Sequence, residues 1–171
     1  MTNAGPKAVY EIVSQAGGCI VGRTKLQKSV CVLELTGLGY GFHFSYKHFG
    51  PYSEELKFAC NDASALGLIR EQRKIAAWGG EYSVFLVDET DDAARQSPRG
   101  QLLRVMVSAD PVLLELAVTA GFLAANKVLE PWSEVMERKQ DKATIAAIDG
   151  AKELYREMCS IHTPRPLPVI L

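Results

Sequence analysis

Between Gly22 and Leu68 the chain reads GRTKLQKSVCVLELTG and then YGFHFSYKHFGPYSEELKFACNDASALGL. This stretch constrains the fold most, because it demands two helices joined by a segment that cannot itself be helical. Leu26, Val30 and Leu33 recur at i, i+4, i+7 and predict one buried stripe. Phe49-Gly50-Pro51-Tyr52-Ser53 then introduces a second helix, with Ser53 as its N-cap and Glu54 and Glu55 at the positive end of its dipole. Leu56, Cys60, Ala63 and Leu66 or Gly67 form the second stripe. Two crossed helices cannot bury both stripes, so the rest of the chain must cover them.

Around this pair the other elements fall into order. Pro6 to Ala16 predicts a helix with Val9, Ile12, Val13 and Ala16 inward, stopped by Gly17-Gly18. Cys19-Ile20-Val21 suits a brief strand or a buried linker. Tyr40 to Tyr46 alternates aromatic with small or polar residues, which predicts a strand with Tyr40, Phe42, Phe44 and Tyr46 on one face and His43 on the other. Leu68 to Val87 predicts a β-hairpin with Trp78-Gly79-Gly80-Glu81 at its tip. Helix, short strand, helix, helix, hairpin is the order of a winged helix-turn-helix domain, and its boundary is set near Asp88.

Asp88 to Gly100 (DETDDAARQSPRG) is the most polar run and reads as a linker or exposed loop. Beyond it, Asp110 and Pro111 open a helix, PVLLELAVTAGFLAA, that is apolar almost all round and therefore central. A shorter helix covers Pro131 to Glu137. A last one runs from Lys142 to Cys159, with Ile148, Ala151, Leu154, Tyr155 and Met158 on one face. The tail HTPRPLPVIL holds three prolines and cannot be helical. The expected fold is α+β and mostly helical. A winged-helix-like N-terminal half (1–88), with its β-hairpin wing, is joined by a polar linker or loop (89–100) to a helical part (101–171) that packs on it as one globule.

GRTKLQKSVCVLELTG, followed by YGFHFSYKHFGPYSEEL and ALGLI, resembles the YwgA-like families related to the Panacea antitoxin domain. LELAVTAGFLA, PWSEVMERKQDKAT and IDGAKELY resemble the C-terminal part of the same proteins, so the likeness spans most of the chain. It implies a cytoplasmic bacterial protein of winged-helix-like character. Related Panacea domains act as antitoxins that neutralise partner toxins. No catalytic residue is carried over.

Composition and charge narrow the function classes. A net charge of −1 argues against a protein that coats nucleic acid generally, although a local basic patch is compatible with it. The four cysteines form no CxxC pair and suit a reducing cytoplasm. MTNAGPKAVYEIV lacks the apolar core of an export signal, and no apolar run approaches the ~20 residues that span a bilayer. The expected protein is therefore soluble and cytoplasmic, with no membrane partner.

The residues bear on four kinds of site. For DNA, the second helix carries Glu54, Glu55 and Asp62 against Lys57, which opposes major-groove docking. Contacts would fall instead to Arg23, Lys25 and Lys28 on the first helix and to Arg70, Arg73 and Lys74 on the wing. For metal, Cys31, His43, His48 and Cys60 are a zinc-like inventory without a chelating spacing, so no metal and no cofactor is expected. For catalysis, no histidine lies in a recognisable nucleophile–base or metalloprotease context, and an enzyme stays a third alternative.

The fourth kind is interaction with a protein. Tyr40, Phe42, Phe44, Tyr46, Phe49, Tyr52 and Phe58 crowd into 19 residues. This favours a partner-protein surface at Tyr46, His48, Phe49 and Tyr52, with Trp78 at the wing tip as a separate contact. The expected partner is a toxin or effector subunit, and a homodimer is compatible. The apolar LPVIL end would suit a groove or a sheet edge, or packing on its own domain.

Overall fold

In a computed structural model, which describes residues 4–171, the segment apolar on every side becomes the central helix, α6 (Pro111–Ala125). Residues 1–3, the start of the MTNAGPKAVYEIV segment, lie outside the described residues. Helices α2 (Arg23–Leu35), α7 (Pro131–Arg138) and α8 (Ile145–Cys159) pack around α6. On the far side of α2 stand α1 (Pro6–Gln15), α3 (Glu54–Ala65) and α5 (Pro98–Ser108). One apolar cluster joins all of these. It includes Ile12, Leu26, Val30, Leu33, Leu56, Leu103, Leu116, Leu154 and Tyr155, so the core runs without a break across the expected linker.

The strands form two small antiparallel sheets. β1 (Cys19–Val21), β4 (Arg70–Ile75) and β5 (Glu81–Leu86) lie in the order β1-β5-β4, with Ile20 opposite Phe85 and Arg73 opposite Ser83. β2 (Ser45–Lys47) and β3 (Gly50–Tyr52) make a separate two-stranded ribbon. The described chain is thus α+β, with eight helices among the described residues. None of them is long and apolar enough to cross a membrane.

Three expectations are corrected here. The strand predicted over Tyr40–Tyr46 exists only from Ser45 onward. The Glu34 carboxylate accepts hydrogen bonds from the backbone amides of Tyr40, Gly41 and Phe42 at 2.9–3.0 Å, so these amides are withdrawn from any ladder. Gly39 makes room for that carboxylate, since a Cβ there would lie 2.2 Å from it. Phe42 is buried, and Tyr40 and Phe44 pack against the core as half-buried rings.

The polar run Asp88–Gly100, expected as a linker or exposed loop, is partly helical. It forms α4 (Asp92–Arg95), capped by Asp91, and opens α5, where the Ser97 hydroxyl accepts from the Gly100 amide at 3.2 Å. Lastly, Leu66 is exposed, so the stripe of α3 closes at Ala63.

The tail docks on its own chain. Tyr155 donates its hydroxyl to the Pro168 carbonyl at 2.6 Å, Trp132 donates its indole N–H to the Ile170 carbonyl at 2.9 Å, and Leu167 is buried.

Candidate functional site

The FGPYS turn proves to be a hairpin held from beneath. β2 and β3 pair through Ser45–Tyr52, Tyr46–Pro51 and Lys47–Gly50, leaving His48 and Phe49 as a two-residue tip. Two consecutive side chains of α2 fix its backbone. The Gln27 amide bonds both ways to Ser53, donating to its carbonyl and accepting from its N–H, each at 2.9 Å. Lys28 Nζ donates to the Phe49 carbonyl at 2.9 Å and the Pro51 carbonyl at 2.8 Å. Ser53 in turn caps α3, its hydroxyl accepting from the Leu56 amide at 3.1 Å. TKLQK and GPYS are therefore two halves of one device.

Lys28 is only 1% exposed. Burial pushes its amine down to about 8, against the opposing pull of Glu115. Glu115, on α6, is itself 4% exposed, and its carboxylate accepts from Lys139 Nζ at 2.6 Å and Lys142 Nζ at 2.9 Å. Burial pushes that carboxyl up, but the two lysine hydrogen bonds outweigh it and hold the group below the usual carboxylate range. Two ammonium groups thus bond one carboxylate, and that of Lys28 lies near enough to feel its charge, in a place where isolated charge is costly.

Gly50 closes the roof over this cluster. Its φ of 91° is a conformation that side chains rarely adopt, and a Cβ there would lie 2.9 Å from Thr119 Oγ1. The sequence pieces TKLQK, GPYS, LELAVTAGFLA and MERKQDK are far apart in the chain, yet they meet at this one point.

What faces solvent is the tip. Phe49 is 67% exposed, and its ring meets the exposed His48 ring edge-on at 6.1 Å between centroids. Tyr46 is half-buried under the Arg138 guanidinium, 4.5 Å from the ring centroid. Tyr52 is half-buried on the other side, lining a small cleft of about 30 Å³ with Arg23, Cys60, Asn61 and Glu71. The four residues predicted as a partner surface therefore divide into an exposed pair, His48 and Phe49, and a supporting pair, Tyr46 and Tyr52. Trp78 lies apart from them, at the tip of the β4–β5 hairpin.

The basic residues proposed for nucleic acid scatter in role. Lys25 and Lys28 are corrected outright, because both are buried and point their amines inward. Lys25 donates to the Val107 and Ala109 carbonyls, each at 2.9 Å, and so ties α2 to the end of α5. Arg23 is bonded to Glu71 at 2.7 Å and Arg70 to Asp88 at 2.8 Å. Arg73 and Lys74 are exposed, with no ion pair within 4.0 Å among the described residues.

The cysteine and histidine inventory does not assemble. Cys31 and Cys60 are buried free thiols, and burial pushes both up to about 12. His43 points outward and bonds Glu55 at 2.9 Å. Among the described residues no three His, Cys, Asp or Glu side chains form a group that could hold a metal ion.

Residue-by-residue reading of the sequence gave no role to Gln27, Glu115, Thr119, Lys139 or Lys142. Glu115 carried the available signal. A single carboxylate in a fifteen-residue apolar helix must find a cation, and LELAV offers none nearby. Comparison with known proteins leaves the chain alone: no family model, no curated protein and no solved structure matches it.

The cap at Ser53 supplies a local test. Ser53→Ala should lower stability by about 1 kcal/mol in a urea melt, the usual cost of losing an N-cap. A change within about 0.5 kcal/mol, the range of neutral surface substitutions, would mean that the cap does not anchor α3.

Proposed function

We propose that this chain is a protein-binding module that presents the His48–Phe49 tip to a partner polypeptide, in the manner of an antitoxin or a regulatory subunit. The observation that carries the reading is the contrast between the tip and its base. The backbone of the turn is fixed by four hydrogen bonds, three donated by Gln27 and Lys28 and one accepted by Gln27, while Phe49 stands 67% exposed. An aromatic ring left in water on a pre-organised turn loses little conformational freedom when it enters a pocket, which is the profile of an interface anchor.

The resemblance to Panacea-related families agrees with a partner toxin. The inward turn of Lys25 and Lys28 weakens the nucleic-acid alternative, since it leaves the acidic face of α3 without those cations beside it.

A photo-crosslinking residue placed at position 49 tests this directly. In cells, position 49 should yield a defined adduct with a second polypeptide, and position 169, also highly exposed, should not. Absence of any adduct from position 49 would remove the tip from the interface.

DNA binding stays as a second reading on one observation. The order α1, β1, α2, α3, β4, β5, with the β2–β3 ribbon inserted between α2 and α3 and the sheet in the order β1-β5-β4, is compatible with a winged-helix arrangement, and Arg73 and Lys74 lie uncommitted on the β4–β5 hairpin that would be its wing. Such binding would fall steeply with salt and with Arg73→Ala, Lys74→Ala. It would be indifferent to Phe49→Ala.

A further inference from the structure

The outer edge of β4 is open. Successive residues of a strand turn their backbone groups to opposite sides, and two bonds fix which side each residue of β5 serves. The Gly22 amide donates to the Ser83 carbonyl at 2.8 Å and the Val87 amide to the Gly18 carbonyl at 3.0 Å, so Ser83 and Phe85 face β1. Tyr82, Val84 and Leu86 therefore bond the residues opposite them on β4, which are Lys74, Gln72 and Arg70. The Ala76 amide continues the alternation by donating to the Gly80 carbonyl at 2.8 Å. The N–H and C=O groups of Glu71, Arg73 and Ile75 consequently point away from the sheet, and no hydrogen bond reaches them among the described residues. Sheet edges are commonly blunted by proline, a bulge or short length. This one pairs with β5 over six residues without a bulge, holds no proline, and leaves five of the six exposed. Its protection is charge alone. Arg70 is bonded to Asp88, and Glu71 to Arg23 and Ser83. Arg73 and Lys74 stay uncommitted and, as successive strand residues, lie on opposite faces.

We propose that the β4 edge accepts an extended acidic segment of a partner polypeptide as a fourth strand of this sheet. Strand addition supplies a partner for each outward amide and carbonyl of Glu71, Arg73 and Ile75. The residues of the added strand opposite Arg73 and Lys74 are adjacent in its sequence. The pattern recognised is therefore two consecutive carboxylates in a β-prone segment, one on each face. Charge complementarity selects this occupant. A basic strand, or a second copy of β4, would set its own cations against these two. A nucleic-acid backbone would be drawn by the cations, but its phosphates would meet the outward carbonyl oxygens as repulsive neighbours. The edge shares no residue with the Phe49 tip, so either can fail without the other.

Residue-resolved amide hydrogen exchange of the full chain tests this, with a capped peptide of valine and threonine around two adjacent glutamates as the probe. Saturating peptide should slow the amides of Glu71, Arg73 and Ile75 by about tenfold or more, while those of Gln72 and Lys74, already in the ladder, change less. Arg73→Glu combined with Lys74→Glu should weaken peptide binding by about tenfold or more at an unchanged melting temperature, since both side chains are exposed. The same peptide with lysines for its glutamates should bind that variant better than it binds wild type. The proposal is overturned if the outward amides exchange unchanged at peptide concentrations up to about 5 mM, a range that reaches even weak single-strand contacts. It is equally overturned if the lysine peptide protects wild type as well as the glutamate peptide does. Equal protection by random-sequence duplex DNA would overturn it in favour of nucleic acid.

Discussion

Replacing Glu115 with Gln should cost about 3–5 kcal/mol of folding free energy at neutral pH, the range seen when one partner of a buried ion pair is removed. The substitution keeps the shape of the side chain and deletes the only carboxylate bonded to Lys139 and Lys142 among the described residues. It also leaves Lys28, buried in the same cluster, without the negative charge that favours its protonation. One oxygen of the new amide can still accept a hydrogen bond, but its NH₂ must face an ammonium group. Lys142 offers partial relief, because its side chain is one-third exposed and can turn to water. The deficit should therefore shrink between pH 7 and pH 9, as Lys28 sheds its proton. Urea melts of the two proteins at both pH values measure this. A loss below about 1 kcal/mol, a size common among ordinary substitutions, would mean that the cluster does not hold α6 to its neighbours.

Lys28→Met should be nearly as damaging, about 2–4 kcal/mol, for a different reason. It strands the Phe49 and Pro51 carbonyls, and an orphaned buried acceptor costs about 1–3 kcal/mol; removing a buried charge offsets part of the sum. The variant also carries a pH signature whose sign is fixed. Lys28 titrates at about 8 in the folded protein and near the ordinary lysine value of 10.5 when unfolded. Between those values the unfolded chain binds more protons, so wild-type stability gains from rising pH by at most about 1.4 kcal/mol per unit. Lys28→Met lacks that gain, so the gap between wild type and variant should widen from pH 8 to pH 9 and stay constant below pH 7. The buried cysteine thiols affect both proteins alike and cancel in the difference. The hairpin itself should survive deprotonation, since a neutral amine keeps two N–H groups for its two carbonyls.

The helices, the β4–β5 hairpin and the N-cap at Ser53 are legible in the sequence because their signals are local. Periodicity, a capping residue and a glycine turn each report on fewer than about twenty residues of chain. Two local signals point the wrong way. Ser97-Pro98 is an N-cap followed by a first-turn proline, but it sits at the end of an acidic run and before Gly100, which reads as a breaker. Gly100 is in fact a packing glycine, where a Cβ would strike the Arg95 carbonyl at 2.4 Å. The Tyr40–Phe44 alternation mimics a strand, and only the reach of Glu34 from the preceding helix shows otherwise.

The candidate site was least legible. Its base is assembled from α2, α6 and the end of α7, at separations of 24 and 27 residues between Glu115 and its lysines. A lysine in TKLQK looks like any solvated cation until the fold supplies two carbonyls for it. The exposed tip was easier to foresee, because crowding of aromatics exceeds what one ribbon can bury. The same crowding includes Tyr46 and Tyr52, yet both are half-buried.

The central claim is that the buried cluster holds the hairpin so that Phe49 can engage a partner. The most direct measurement is the capture of binding polypeptides from lysate by wild type and by Phe49→Ala, quantified side by side with melting temperatures. The account predicts that Phe49→Ala melts with wild type and captures the partner at least about tenfold more weakly, as loss of an aromatic anchor does. Full capture by a normally folded Phe49→Ala protein would contradict it.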